Sequence, residues 1–413
     1  MKADFHIRNR GDFASNMKNG DVAVFFSGKA PHKTADEYYP FFAHRNFLYL
    51  TGIEQADSIL LLRKNGEGFE ETLFILPNDK MKERWTGKRL TPEEAAASSG
   101  ISRIRPREEF EGAIDAALGS HAGALWLDFD RYSRGDAPTL AYDLSAYAKE
   151  RFPYWAFESA SAPLKRQRLI KADCEIEAMR HAEDITRDGI IAMMKAAKPG
   201  MYCYELKAEF DHALARRGVL HPAFNSIITA GAENFYIHND RYGSLLVDGE
   251  MVLNDVGAGW DNVGTDVSRG WPCNGKYSDR QRLLYECAFA TSEHMFGILK
   301  PGMTQASVDD EIRRYNFERL RDAGVCKSYE DIGTYMWHGG AHHVGFDTHD
   351  VVDRSLPLAP GMVFCVDVGI YHEEWGIGFR LEDNCLMTEN GCENLSVATP
   401  RTIEEIENTM LKR

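Results

Sequence analysis

The chain has 413 residues, 44% of them hydrophobic and 27% charged, with a formal charge of −15. That length exceeds one ordinary core and predicts two globular domains. The acidic balance excludes a phosphate-neutralising nucleic-acid surface, and no apolar run is long enough to span a bilayer.

The opening Met-Lys-Ala-Asp-Phe-His lacks the apolar run of a signal peptide. In the first part, residues 21–28, 58–64, 71–77 and 124–129 are short β-branched or aromatic-rich runs and predict strands. Residues 107–118 and 138–150 have helical composition, so the alternation predicts an α/β domain over residues 1–165. A break follows at residues 160–172, where Ser-Ala-Ser-Ala-Pro leads into a basic stretch. Asp173 is the expected N-cap of a helix that carries Glu175 and Glu177 in its first turn. Its apolar face holds Ile176, Met179, Ala182 and Ile185, and a second domain is expected over residues 166–413.

That second part carries a faint duplication. Lys-Pro-Gly-Met occurs at 198–201 and at 300–303, and Asp-Val-Gly at 255–257 and at 367–369. Two βαβ-like halves related by pseudo-symmetry around a shared cleft are expected. All eight cysteines lie after residue 170 and none forms a CxxC pair. This predicts neither a thiolate zinc site nor a disulfide framework, and a reducing, cytoplasmic compartment.

Three segments carry the chemistry. In residues 255–266 two aspartates, Asp255 and Asp266, end strand-like runs, where an ionised carboxylate needs a cation or a donor. Gly257, Gly259 and Gly264 between them allow a tight hairpin. Residues 338–349 then place His338, His342, His343 and His349 among glycines, in a chain with fourteen histidines in all. Finally, Arg380 and Glu382 are two apart, so on a strand they share a face. A polar turn, a satisfied core histidine or a surface Arg–Glu pair would explain any one segment alone. Together they form an oxygen-rich donor set with one imidazole, suited to Mn²⁺, Mg²⁺, Co²⁺ or Zn²⁺ in a binuclear metallohydrolase. The residues by themselves leave the scissile bond open.

The same segments resemble the aminopeptidase P family of pita-bread metallopeptidases. Asp-Val-Gly-Ala…Thr-Asp-Val-Ser-Arg, His-Gly-Gly-Ala-His-His-Val-Gly-Phe-Asp-Thr-His-Asp and Arg-Leu-Glu-Asp are similar to its ligand motifs. In the first part, residues 36–40, 46–52 and 85–90 resemble its N-terminal domain. The resemblance implies an α/β N-terminal domain and an α+β pita-bread catalytic domain with a pseudo-twofold duplication. It implies two divalent metal ions, Mn²⁺ first with Co²⁺ or Zn²⁺ as alternatives, held by Asp255, Asp266, His342, Asp367 and Glu382. His238, in a similar Tyr-Ile-His-Asn segment, would surround the substrate with His338 and His349. Tyr371 and Arg380 would shape the pocket, and Asp36 and Trp85 would reach a neighbouring subunit's site in a dimer or tetramer. The implied reaction is hydrolysis of the N-terminal Xaa-Pro bond of peptides by a metal-bridging hydroxide.

One position departs from the family. Its fourth ligand motif reads Glu-Pro-Gly, and this chain has Asp367-Val-Gly. An aspartate is one methylene shorter, which withdraws the carboxylate by about 1.5 Å. A prolidase-type Xaa-Pro dipeptidase, which shares the catalytic domain, stays open beside the leading reading. So does a pseudoenzyme or peptide-binding module, for which Asp367 is the support. A creatinase-like, metal-independent enzyme is disfavoured, because most of the metal carboxylates are present.

Overall fold

The structure, a computed structural model, describes residues 1–412 other than 121–122, 130–132, 134 and 137–138. It divides into two compact units, Met1–Gln167 and Arg168–Arg413.

The first unit is built on a six-stranded sheet. Its strands are β1 (Val22–Phe26), β2 (Ile59–Asn65), β3 (Gly68–Ile75), β4 (Ile104–Pro106), β5 (Ala124–Leu127) and β6 (Ala156–Ser159), in the order β4-β3-β2-β1-β5-β6. The four runs read as strands are β1, β2, β3 and β5. Val22, Val24, Leu61 and Phe74 from the sheet pack with Phe110, Ile114 and Leu118 from the helix Phe110–Ser120. The segment expected at 138–150 is the helix Leu140–Arg151, and Pro138 lies outside the described residues. The opening helix Ala3–Ala14 was not legible from apolar spacing. It buries His6, Asn9 and Arg10, and Arg10 reaches the Glu71 carboxylate at 2.7 Å and the Leu50 carbonyl at 2.7 Å. Partners so distant in sequence leave no local signal.

The second unit repeats one motif: two helices, then an antiparallel hairpin. The first copy has α1 (Asp173–Ala196), α2 (Cys203–Arg216), β8 (Met251–Val256) and β9 (Val267–Pro272), with β7 (Ile227–Ala230) pairing beside β8. The second has α3 (Asp279–Ile298), α4 (Gln305–Asp322), β10 (Val363–His372) and β11 (Ile377–Met387). The sheet runs β10-β11-β9-β8-β7, with β12 (Cys392–Asn394) paired to β11. The halves are therefore not βαβ units, because the helices precede the strands and the strands turn back as hairpins. The repeated Lys-Pro-Gly-Met segments make the same bonds. Gly200 donates to the Leu246 carbonyl at 2.8 Å and Leu246 to Met201 at 2.7 Å; Gly302 donates to Leu358 at 2.9 Å and Leu358 to Met303 at 2.7 Å. Both glycines have φ near 90° (89° and 94°), where a side chain is strained.

Two local expectations are corrected. The N-cap of α1 is Ala172, not Asp173, and the Glu175 carboxylate accepts the Ala172 N–H at 2.8 Å. The hairpin after Asp255 turns at Asp261 and Asn262, which carry positive φ (47° and 72°), rather than at its glycines. This left-handed pair matches the strand twist of a two-residue hairpin.

Every residue of β10 and β11 is buried, so both faces of these strands are covered. Val366, Val368, Ile370, Phe379 and Leu381 join the helices' Ile185, Met193, Leu284 and Met295 in one core. Strand alternation then turns Cys365, Asp367, Arg380 and Glu382 to the opposite face, where the candidate site lies.

Candidate metal centre and active site

The β8–β9 hairpin sets the first two carboxylates. A Cβ on Gly257 would meet the Thr265 carbonyl oxygen at 1.8 Å, so only glycine lets these two backbone segments close beside Asp255 and Asp266. On the neighbouring strand Glu382 lies opposite Ser268 on β9 and opposite Asp367 on β10. Ser268 Oγ donates to Glu382 Oε2 at 2.8 Å, and Asn384 Nδ2 donates to the Asp266 carbonyl at 2.6 Å. Neither Ser268 nor Asn384 was singled out from the sequence. Both lie two residues from an acidic candidate, which is the strand-period signal that finds them.

The histidine segment docks along the edge of β10. Cys365 N–H donates to the His342 carbonyl at 2.9 Å, Asp367 N–H to Gly340 at 2.8 Å and Val344 N–H to Val363 at 3.1 Å. Gly340 N–H in turn donates to Asp309 on α4 at 2.8 Å. His342 Nε2 thereby comes to 3.4 Å from Asp266 Oδ2 and 3.5 Å from Glu382 Oε1. Two donors on one tetrahedral ion with bonds near 2.1 Å are about 3.4 Å apart. Donor atoms of Asp255, Asp266 and Glu382 also fall within 4.8 Å of one another.

The electrostatics point the same way. Oδ1 of Asp255, Asp266 and Asp367 is buried without a hydrogen-bond partner. Burial, Glu382 and Asp255 push the Asp266 carboxyl well above its ordinary value, and burial and Glu382 do the same to Asp367. Burial opposes charge on Glu382 too, but the hydrogen bond and charge of His342 override it and hold this carboxyl below its ordinary value. Orphaned carboxylate oxygens facing one another are unfavourable unless a cation lies between them. The donor set therefore fits divalent metal ions.

A hydrogen-bonded chain borders the cluster. Arg380 Nη2 donates to Asp255 Oδ2 at 2.7 Å and Nη1 to Tyr371 Oη at 3.1 Å. Tyr371 Oη is 3.0 Å from His338 Nε2, and His338 Nδ1 faces two acceptors, the Gly339 carbonyl at 2.8 Å and Asp367 Oδ2 at 3.1 Å. Nδ1 therefore carries the proton and Nε2 accepts from the tyrosine. Burial and Arg380 hold His338 below its usual value, so the ring is neutral at pH 7. A Cβ on Gly369 would meet this ring at 2.4 Å.

These groups line a cavity of ≈ 380 Å³ that also holds His238, His349 and Ile237. His238 and His349 are exposed at its open side, with ring centroids 6.5 Å apart. Of the expected site residues, Asp255, Asp266, His342, Asp367, Glu382, His238, His338, His349 and Arg380 all line it. Tyr371 joins through its hydroxyl. Asp36 and Trp85 belong to the first unit and are exposed there, Trp85 by 87%. Asp367 lines the cavity, yet among the described residues it belongs to none of the groups whose donor atoms converge.

Paired carboxylates, one imidazole and a two-helix-plus-hairpin repeat define a class, and residues 177–389 match the model of metallopeptidase family M24. The chain belongs to this family of metallopeptidases. Residues 6–126 match the aminopeptidase P N-terminal domain, which narrows the relationship to the aminopeptidase P group. A Xaa-Pro aminopeptidase of Haemophilus influenzae is 31% identical over 99% of this chain and 97% of its own. A Bacillus anthracis structure, provisionally assigned as an aminopeptidase P, matches with a TM-score of 0.97 and 34% identity, covering 100% of this chain and 99% of that one. Zinc-substituted Escherichia coli aminopeptidase P in complex with product matches with a TM-score of 0.91 and 26% identity, over 100% and 99% of the two chains. Among the described residues no helix is long and apolar enough to cross a membrane.

Proposed function

We propose that this chain is a Xaa-Pro aminopeptidase that releases the N-terminal residue from peptides with proline in second position. The observation that carries the reading is the convergence of Asp255, Asp266 and Glu382, with His342 at 3.4–3.5 Å from the last two, leaving buried carboxylate oxygens without a protein partner that cations would satisfy. Its Haemophilus influenzae relative carries that activity in its name. Asp266, His342 and Glu382 would hold one ion and Asp255, Asp266 and Glu382 the other, with Asp367 bordering the first. Ions held there supply Lewis-acid polarisation of the carbonyl and activation of water at neutral pH.

The remaining residues orient the reactants. Asp367 keeps Oδ2 on His338 and has Oδ1 free to accept a proton from the attacking water. His338 spends both ring nitrogens on protein partners, so it fixes Asp367 and Tyr371 rather than donating to substrate. His238 and His349, at the open side, contact the peptide. Arg380 holds Asp255 in register and balances the carboxylates.

A homo-oligomer is supported by the exposure of Tyr38, Tyr39, Phe42, Met81 and Trp85 in the first unit, apolar surface that a subunit interface would cover. Asp36 and Trp85 would then approach a neighbouring site. Free thiols at Cys203, Cys273, Cys287, Cys326, Cys365, Cys385 and Cys392 suit a reducing, cytoplasmic compartment.

Release of the first residue from Xaa-Pro-Yaa tripeptides and Xaa-Pro dipeptides, with Mn²⁺, Co²⁺ or Zn²⁺ and with a chelator, tests the reading. Metal-dependent tripeptide cleavage is expected. Cleavage of dipeptides alone would make the protein a prolidase, and no cleavage by folded, metal-loaded protein would make it a peptide-binding module.

A further inference from the structure

Cys365 is fully buried on β10, two residues before Asp367 and on the same face of the strand. Its amide is bonded to the His342 carbonyl, so strand and histidine segment hold thiol and imidazole in fixed register. A donor nitrogen of His342, the sulfur of Cys365 and an oxygen of Glu382 lie within 4.8 Å of one another. Asp367, whose side chain is short and tied to His338, is in no such group. Independently of the thiol, Oδ1 of Asp266 and of Asp367 is buried without a partner at the cavity that His342 and Glu382 also line, on residues only 3% and 8% exposed.

We propose that Cys365 is a sulfur ligand of the ion on the His342 side, standing in for the reach that Asp367 lacks. That position then takes a borderline cation, Zn²⁺ or Co²⁺, while the Asp255 side, built from oxygen alone, keeps a hard one such as Mn²⁺. The inference rests on the two-ion reading of the site. Ligation forms a metal–sulfur bond and sends the thiol proton to solvent, with no change in oxidation state. A thiol that only donates to Glu382 is the competing arrangement, and the two differ in whether the metal sees sulfur.

Cobalt reports the difference directly. Metal-free protein loaded with Co²⁺ is expected to show visible d–d bands, which report binding, and a near-ultraviolet thiolate-to-cobalt charge-transfer band, which reports sulfur. In Cys365→Ser the d–d bands should persist and the charge-transfer band should vanish. Zn²⁺ affinity in that variant, measured by chelator competition, should fall at least as far as loss of an outer-shell partner would take it, about 10–100-fold. Mn²⁺ affinity on the oxygen-only side should change far less, because no sulfur ligates there. Should Cys365→Ser fail to fold, X-ray absorption of Zn²⁺-loaded wild type answers the same question through the presence of a sulfur shell. Bound cobalt without a charge-transfer band, a band that survives in Cys365→Ser, or a zinc shell of nitrogen and oxygen alone would overturn the proposal while leaving the metallopeptidase reading intact. Failure to bind cobalt at all would remove both.

Discussion

Asp367 sits opposite Glu382 in the β10–β11 ladder, with Oδ2 on His338 and Oδ1 free of any hydrogen bond. Restoring the missing methylene should carry that free oxygen about 1.5 Å further toward the donors around His342. A catalytic group displaced by about 1 Å can cost on the order of 100-fold in rate. Asp367→Glu is therefore expected to raise kcat on Xaa-Pro-Yaa peptides by about tenfold or more, read in steady-state assays with saturating metal. An unchanged or lower kcat would mean that the surrounding residues have adapted to aspartate. The departure was visible in the sequence as Asp-Val-Gly. What it does to the carboxylate was not, since the pull toward His338 comes from a loop docked on the strand edge.

Among the elements, the β8–β9 hairpin and the histidine segment do the positioning. Gly257→Ala would drive a methyl into the Thr265 carbonyl, 1.8 Å from the new Cβ. Backbone must move, so a loss of about 1–3 kcal/mol or more is expected, with weaker metal binding because Asp255 and Asp266 separate. Thermal unfolding and metal titration of that variant check both. The far end of the histidine segment is fastened at Asp350, which accepts from Lys171 at 2.8 Å and lies against Arg168, all three buried. Burial opposes charge on Asp350, but Lys171 and Arg168 override it and bring its carboxyl from 3.8 down to about 2. An acid whose folded value is depressed stabilises the fold above its unfolded value. That contribution, about 2.5 kcal/mol, is lost as pH falls from about 4 through 2. Denaturant unfolding at a series of pH values should show this acid limb in the wild type and a shallower one in Asp350→Asn. The variant should also lose about 3–5 kcal/mol at pH 7, because buried Lys171 loses its carboxylate and buried Arg168 keeps only Asp347, at 2.9 Å. The acidic and histidine motifs were legible as spacing. Arg168 was seen only as the end of a basic stretch and Lys171 was not singled out, because their partner lies about 180 residues away.

For the whole molecule, ions that bind the folded state alone add about 3–4 kcal/mol when present at 100 to 1,000 times their Kd. Chelation is expected to lower Tm by about 4–8 °C and re-addition to restore it, measured by calorimetry; an unmoved Tm would mean that no ions are held. By itself the sequence determined the two-part organisation, the Lys-Pro-Gly-Met duplication and nine of the twelve residues that line the cavity. Those are local properties: a strand period of two assigns residues to a face, and glycine or proline marks where an element ends. Only the tertiary structure decided that each half is two helices and a hairpin, that Arg380 meets Asp255, that the histidine segment docks on β10, and that Cys365 rather than Asp367 falls within reach of His342 and Glu382. Such distances join residues far apart in the chain, and they are set by the packing of the helices beneath the sheet and by hydrogen bonds along a strand edge, which spacing along the sequence does not encode.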